Sequence, residues 1–235
     1  CGLIIFGGLG FLVILDIGKH RRFRKLTFHS KIVIVTTLVL IAVGTILLKA
    51  TEPISWLGAF FHSVSARTAG FSTYAIGDFT NAGLFVLCIL MFIGASPGST
   101  GGGIKTSTFF VLFQSAKSMF SKKPAGAFHR SIAKENIAKS YMIMMLSLAV
   151  VCIGTFLMCV LEPDCTFIQL MFEVVSAFGT VGLSTGITPT LSVAGKLVII
   201  VIMFIGRLGA FTLLSMWIDH PEPNIRYSQE SISIG

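Results

Sequence analysis

Of the 235 residues, 54% are hydrophobic and 12% are charged, against about 25% charged in soluble domains, so the composition excludes an ordinary soluble protein and predicts a membrane protein. The net charge of +8 comes mainly from two clusters between apolar runs, 19–25 and 117–139, which argues against a nucleic-acid-binding face. The five cysteines lack a C-x-x-C pair, so neither a zinc site nor a disulfide framework is indicated.

Five apolar runs can each supply the roughly 20 residues of a membrane-spanning helix. They cover residues 1–17, 31–50, 79–115, 141–161 and 193–218. The positive-inside rule places the basic loops 19–25 and 117–139 in the cytoplasm. Two shorter apolar segments, 54–67 and 166–178, cannot cross a bilayer and are predicted to be re-entrant pore helices.

An internal repeat organises the sequence. Four segments recur in the same order: Glu52-Pro53 as Glu162-Pro163, Val64–Ala66 as Val175–Ala177, Thr68–Thr73 as Thr180–Thr185, and Met91–Gly94 as Met203–Gly206. Each complete copy is predicted to contain a helix, a short pore helix, a glycine-bearing loop and a second helix. Ile5–Gly10 matches the end of such a copy, so the chain is expected to begin in the last helix of an earlier one.

These copies divide the chain into three parts. Residues 1–25 are expected to hold the end of the inner helix of an earlier repeat and a cytoplasmic loop, 26–139 a complete repeat, and 140–235 the last repeat with a cytoplasmic tail. Both complete copies run in the same direction, which indicates rotation about the membrane normal.

The loop after each short helix is predicted to line a pore, because non-helical backbone at membrane depth is tolerated only inside protein or beside water. The C-terminus of each pore helix carries partial negative charge, which favours a cation. A Thr-x-Gly sequence can turn its carbonyl oxygens inward, and rings of carbonyls replace the hydration shell of potassium. The candidate filter residues are Thr68, Ala69, Gly70, Thr180, Val181 and Gly182.

Three segments resemble the Ktr/Trk/HKT superfamily of potassium transporters, and most resemble the membrane subunit of bacterial Ktr-type systems: Ser65–Thr73, Phe92–Thr106 and Gly179–Thr185. The resemblance implies an all-α membrane protein whose tandem helix–pore loop–helix repeats are arranged pseudo-fourfold around a central ion pore. It also implies potassium uptake across the bacterial inner membrane, with potassium as the ion and no organic cofactor.

The resemblance further implies the partners. These are the lipid bilayer, a second copy in a homodimer, and a cytoplasmic ring of nucleotide-binding regulatory subunits. The basic loop 117–139 and the polar tail 219–235 are the surfaces expected to meet that ring.

A glycine-rich segment within the third apolar run is predicted to break its helix. By resemblance it is the flexible intramembrane loop that gates the pore: Gly98, Ser99, Thr100, Gly101, Gly102 and Gly103. A glycine seam between closely packed helices is the alternative. A phosphate-binding loop is disfavoured, because Ile104 separates Gly103 from Lys105 and that motif needs glycine directly before lysine.

Charged residues inside apolar segments are functional candidates. The resemblance implies that Arg207 belongs to the gate and faces the pore near the glycine loop, whereas snorkelling to the cytoplasmic headgroups is the alternative. Arg67 and Glu173 lie in the two pore helices and are expected to hold the filter by pairing with each other or with loop carbonyls. His62 is expected to serve packing or a hydrogen bond.

An enzyme or a pump is disfavoured, because the acids near apolar runs are well separated and no nucleotide motif accompanies them. Within transport, sodium is the alternative ion. In the superfamily that the chain resembles, a glycine-to-serine change at the filter accompanies sodium preference. Gly70 and Gly182 therefore favour potassium, and a sodium-conducting or sodium-coupled transporter stays open.

Overall fold

The structure is a computed structural model that describes residues 1–20, 22–121, 124–128 and 130–209. Helices dominate this part of the chain, in agreement with the predicted all-α class. The helices are α1 (Gly2–Leu9), α2 (Phe11–Lys19), α3 (Phe28–Thr51), α4 (Trp56–Ser65), α5 (Asn81–Phe92), α6 (Thr106–Ser121), α7 (Lys134–Leu161), α8 (Phe167–Gly179) and α9 (Val193–Leu208). A two-residue antiparallel hairpin, β1 (Gly126–Ala127) with β2 (Arg130–Ser131), lies in the basic loop before α7.

Two helices of the described part, α3 and α7, are each long and apolar enough to cross a membrane. They contain the predicted runs 31–50 and 141–161. The predicted run 193–218 begins in α9, and its residues after 209 lie outside the described part of the chain, as does the polar tail 219–235.

The first apolar run is not one helix, contrary to the expectation for 1–17, because α1 and α2 meet at an angle of 96°. The bend occurs at Gly10, whose φ of 80° is open to glycine and strained for other residues. A Cβ at Gly10 would lie 2.8 Å from the carbonyl oxygen of Pro97. The bend therefore lets this helix pair pack against the start of the glycine-rich segment.

The third apolar run is also interrupted, because α5 ends at Phe92 and α6 begins at Thr106. Ile93 and Ile104 close the intervening segment with a parallel bridge. The backbone N–H of Ile104 donates to the carbonyl of Phe92 at 3.1 Å. A glycine seam needs intact helices on both sides, so the structure supports the predicted break in the helix.

The predicted pore helices are present as α4 and α8, which have 10 and 13 residues and are too short to cross a bilayer. Ser55 caps α4 by accepting from Gly58 N, and Thr166 forms a capping box with Gln169 at the start of α8. Helix α8 packs against α5, α7 and α9, with Phe178 2% exposed. The core thus forms around the last pore helix and fixes its position.

Three carboxylates at or near the end of one helix each bond to the N-cap of a later helix. Glu52 Oε1 accepts from the backbone N and Oγ1 of Thr80, which caps α5. Asp16 Oδ2 accepts from the same two atoms of Thr27, which caps α3. Glu162 Oε1 accepts from the N of Ser192, which caps α9, at 2.7 Å. Negative charge at a helix N-terminus is favourable, so each contact stabilises the start of a helix.

The glutamate contacts leave no room for a side chain at the third position of α5. A Cβ at Gly83 would overlap the carboxylate of Glu52, which is 5% exposed and held by Thr80. We expect Gly83→Ala to lower the free energy of unfolding by about 1–3 kcal/mol, because the overpacked carboxylate must give up its bonds. Thermal unfolding of the full-length protein in detergent measures the change. Gly18→Ala is the control, because nothing lies within 4 Å of where its Cβ would be. Equal melting temperatures for the two variants would contradict this interpretation.

Candidate functional site

The two loops after the pore helices turn back on their own helix ends. The carbonyl of Ser65 accepts from the backbone N of Ala69 at 2.9 Å and of Gly70 at 3.3 Å. In the second copy, the equivalent Ser176 carbonyl accepts from Val181 N at 3.0 Å. These bonds hold each loop against the end of its own pore helix. This is the local geometry expected of a carbonyl filter.

The carbonyl oxygens of the six predicted filter residues accept no hydrogen bond from any other residue that the structure describes. Val181 is buried, Thr68, Ala69, Gly70 and Thr180 are half-buried, and Gly182 is exposed. Non-helical backbone of this kind is tolerated in a membrane where it is enclosed by protein or faces a water-filled cavity. Cations are the ligands that rings of backbone carbonyls bind in membrane pores.

The backbone of these loops uses angles that few side chains permit. Gly70 and Gly182 have φ of 72° and 94°. Thr180 has φ of 50°, which is an outlier for a β-branched residue. Such outliers persist only where surrounding contacts hold them, and they cluster at functional sites.

The two loops lie against each other. A Cβ at Gly70 would overlap the carbonyl oxygen of Val181, and a Cβ at Gly182 would lie 4.0 Å from the Cα of Gly70. The structure therefore brings both sets of predicted filter residues to one place.

The glycine-rich segment lies directly against these loops. The N–H of Gly102 donates to Thr180 Oγ1 at 3.1 Å. A Cβ at Gly101 would overlap the side chain of Thr68, and one at Gly102 would lie 3.0 Å from the carbonyl oxygen of Gly179. Both glycines are buried. Only a residue without a side chain fits between the two filter loops at this point.

The first half of the same segment lies elsewhere. A Cβ at Gly98 would meet the ring of Phe11 at 3.0 Å, and Gly98 O accepts from Phe11 N at 3.2 Å. Ser99 Oγ donates to the carbonyl of Ser96 at 2.5 Å. Of the six predicted gate-loop residues, the structure thus places Gly101 and Gly102 against the filter and Gly98 on the α1–α2 bend.

Two cationic side chains hold the segment by its carbonyls. Arg207 Nη1 donates to the carbonyl oxygen of Thr100, and Lys105 Nζ donates to that of Gly101 at 2.5 Å. Lys105 was not among the site residues predicted from the sequence. A lysine within an apolar run was the signal that could have identified it.

Arg67 and Glu173 were expected to pair with each other or with loop groups. Among the described residues they bond to loops and do not pair with each other. Arg67 is 6% exposed, and its Nη2 donates to the carbonyl of Gly94 at 3.3 Å. Glu173 accepts bonds from the segment that follows its own filter loop. His62 contacts Thr73 Oγ1 at 3.4 Å, which is the hydrogen bond expected for it.

Two short pore helices, loops with unpaired carbonyls and a glycine segment packed against those loops are the features expected of a membrane protein that conducts a cation. The family model TrkH, described as a cation transport protein, matches residues 15–227, so the chain belongs to this family. The family is one of ion transporters and not of enzymes. Together with the apolar helices, it identifies a multi-pass protein of the bacterial inner membrane.

Individual relatives agree with this assignment. The chain is 42% identical over 250 residues to Ktr system potassium uptake protein B of Vibrio alginolyticus, covering 100% of this chain and 54% of that protein. It is 38% identical to the potassium/sodium uptake protein NtpJ of Enterococcus hirae, covering 99% of this chain and 56% of that one. The chain therefore spans about half the length of the curated relatives it matches.

A solved structure confirms the fold. The crystal structure of the potassium transporter TrkH from Vibrio parahaemolyticus is similar with a TM-score of 0.71 at 20% sequence identity. The match covers 92% of this chain and 50% of that one. The resemblance to the Ktr/Trk/HKT superfamily and the all-α membrane fold are both confirmed by these comparisons.

Proposed function

We propose that the full-length protein takes up potassium across the bacterial inner membrane through a filter of backbone carbonyls. The observation that carries this proposal is the set of six unpaired carbonyls at 68–70 and 180–182, on two loops that touch each other. Carbonyl oxygens replace the hydration shell of potassium without any formal charge on the filter. Potassium is then the transported ion, and transport through such a filter needs no organic cofactor.

The repeats define how this chain contributes to the pore. Residues 26–139 and 140–235 are two of four units arranged pseudo-fourfold around one axis, and 1–25 ends the unit before them. This division is supported by the recurring pore helices α4 and α8 and by the contact between their loops. Two units supply half of the filter, and the other half comes from the remainder of the protein.

The gate is formed by 98–103 and Arg207. Support for this role comes from the bond of Gly102 to the filter residue Thr180 and from the bond of Arg207 to Thr100. A segment in this position obstructs the path below the filter until it moves. Glycine makes such movement possible because its backbone has the widest range of allowed angles.

The assembly is a homodimer in the bilayer with a cytoplasmic ring of nucleotide-binding regulatory subunits. The Vibrio alginolyticus relative is named as part of a Ktr system, which supports the presence of further components. The described hairpin β1–β2 in the basic loop 117–139 is one surface for the ring, and the tail 219–235 is the other.

Sodium is the second candidate ion, because the Enterococcus hirae relative is named a potassium/sodium uptake protein. The glycines at the filter, Gly70 and Gly182, favour potassium over a sodium-selective filter. Direct measurement of both ions decides between these candidates.

We expect Gly182→Ser to lower the ratio of potassium to sodium uptake severalfold. Gly182 has φ of 94°, so a side chain there strains the backbone and reorients the neighbouring carbonyls. The added Cβ meets no steric clash, because the nearest atom would be 4.0 Å away. Rubidium and sodium uptake by the full-length protein, in cells without their own potassium uptake, give the ratio.

Gly18→Ser is the control for this experiment. Gly18 lies in α2, outside the two loops and the glycine-rich segment, and nothing lies within 4 Å of its Cβ position. If both variants keep the wild-type ratio, the loop 180–182 is not the selectivity filter.

A further inference from the structure

His62 and Glu173 occupy the same position of the two repeats, two residues before the recurring Val-Ser-Ala. Both lie on pore helices, His62 on α4 and Glu173 on α8, and both are buried, at 0% and 5% exposure. Each bonds to the same recurring threonine after the filter glycine, which is Thr73 in the first copy and Thr185 in the second. Each copy of the repeat thus has one pore-helix residue that contacts the segment after its filter loop. This residue is a histidine in the first copy and a glutamate in the second.

The carboxylate makes an extensive set of contacts. Glu173 Oε1 accepts from Ser184 Oγ at 2.7 Å, from Thr185 N at 2.9 Å and from Thr185 Oγ1 at 3.2 Å. Its other oxygen, Oε2, accepts from Thr188 Oγ1 at 2.8 Å. Both oxygens of one side chain therefore fix the segment 184–188, which begins two residues after Gly182, to the pore helix.

The histidine makes far less contact. His62 Nε2 has a single long contact of 3.4 Å to Thr73 Oγ1. Its Nδ1 is buried without a partner among the residues that the structure describes. The ring otherwise packs edge-on against Phe61 and Phe79 and tilted against Tyr74. Its contribution is packing more than hydrogen bonding.

A hydrogen bond to a charged acceptor is stronger than one between neutral groups, and bonds within one network reinforce each other. The segment behind Thr180–Gly182 is therefore held much more rigidly than the segment behind Thr68–Gly70. The positions of filter carbonyls depend on the segments that carry them, so the two loops differ in how firmly their carbonyls are placed.

We propose that Glu173 is a positioning residue for ion selectivity, which holds the carbonyls of 180–182 at the spacing that suits potassium, and that His62 has only a minor part in the same task. This inference rests on the proposed function, since it concerns selectivity between two ions. His62 and Glu173 are equivalent in the repeat, but the proposal gives them unequal roles in selectivity.

The test compares Glu173→Gln with His62→Gln in the full-length protein. Glutamine keeps the size of glutamate but loses the charge and one acceptor. We expect Glu173→Gln to lower the ratio of rubidium to sodium uptake about tenfold, the loss that follows from weakening charged hydrogen bonds. His62→Gln is expected to change that ratio less than twofold, on the order of the effect of a weak neutral contact. Both are normalised to the amount of protein in the membrane.

The readout separates positioning from mere structural support. A purely structural loss lowers the amount of protein or the maximal rate for both ions alike and leaves the ratio unchanged. Proposed function and inference also fail in different ways. Wild-type protein without rubidium uptake would refute the proposed function, whereas wild-type uptake with an unchanged ratio in Glu173→Gln overturns the inference.

A second variant decides the case if Glu173→Gln does not reach the membrane. Ser184→Ala combined with Thr188→Val removes two donors to Glu173 and leaves the carboxylate and the N–H bond of Thr185 in place. We expect the ratio to fall in the same direction by about half as many decades, since two of four bonds are removed. An unchanged ratio in this double variant overturns the proposal.

Discussion

Deletion of Gly101–Gly103 is expected to raise the rate of potassium uptake. These glycines lie against the proposed filter loops, with Gly102 bonded to Thr180 and Gly101 packed on Thr68. Deleting the three glycines shortens the proposed gate segment and removes its hydrogen bond to Thr180. The loss of one hydrogen bond of about 1 kcal/mol corresponds to a factor of about 5 in the population of the open path.

Initial rates of rubidium uptake, divided by the amount of protein in the membrane, measure this effect. The bridge between Ile93 and Ile104 flanks the deletion, so thermal unfolding checks that the helix break remains folded. A rate that falls while the protein is folded and in the membrane would show that the segment is structural and does not gate the pore.

Replacement of Arg207 by alanine is expected to increase the maximal rate of uptake by up to about tenfold. Arg207 donates to the carbonyl of Thr100, and a bond from a charged donor contributes about 1.5–3 kcal/mol. Its loss frees the glycine segment and also removes a positive charge that repels the entering cation. Lys105 still holds Gly101, so the release is partial.

Arg207→Lys separates the two effects. Lysine keeps the positive charge but lacks the planar fork that can bind several carbonyls at once. Its rate is expected to lie between those of the wild type and of Arg207→Ala. Lys196→Ala is the matched control on the same helix, because Lys196 bonds to the carbonyl of Pro189 at the other end of α9. Unchanged kinetics for both Arg207 variants would exclude a role on the permeation path.

Combining the two changes tests whether Arg207 acts through the glycine segment. Residues that share one contact network are not additive. If the arginine works by holding the loop, Arg207→Ala adds little to the rate already gained by the Gly101–Gly103 deletion. A fully additive increase would show that the arginine acts on the ion directly.

Most of the helices and the recurring segments could be predicted from the sequence. Apolar length separates the membrane-crossing α3 and α7 from the short pore helices α4 and α8, because a bilayer sets a minimum length for a crossing. Recurrence of Thr-x-Gly predicted a special backbone conformation in both loops, and Gly70 and Gly182 do have positive φ, because glycine at a fixed place reports a local backbone requirement. The glycine run at 98–103 indicated a helix break for the same reason.

The tertiary structure alone decided which segments meet. Hydropathy could not show the 96° bend at Gly10, because that angle depends on packing against Pro97 and Gly98. The bond between Gly102 and Thr180 joins residues 78 positions apart, and the bond between Arg207 and Thr100 joins residues 107 apart. The sequence also could not show which groups Glu173 contacts, because both Arg67 and the loops were possible partners. Local patterns encode the length and ends of an element, whereas long-range partners follow from how whole helices pack.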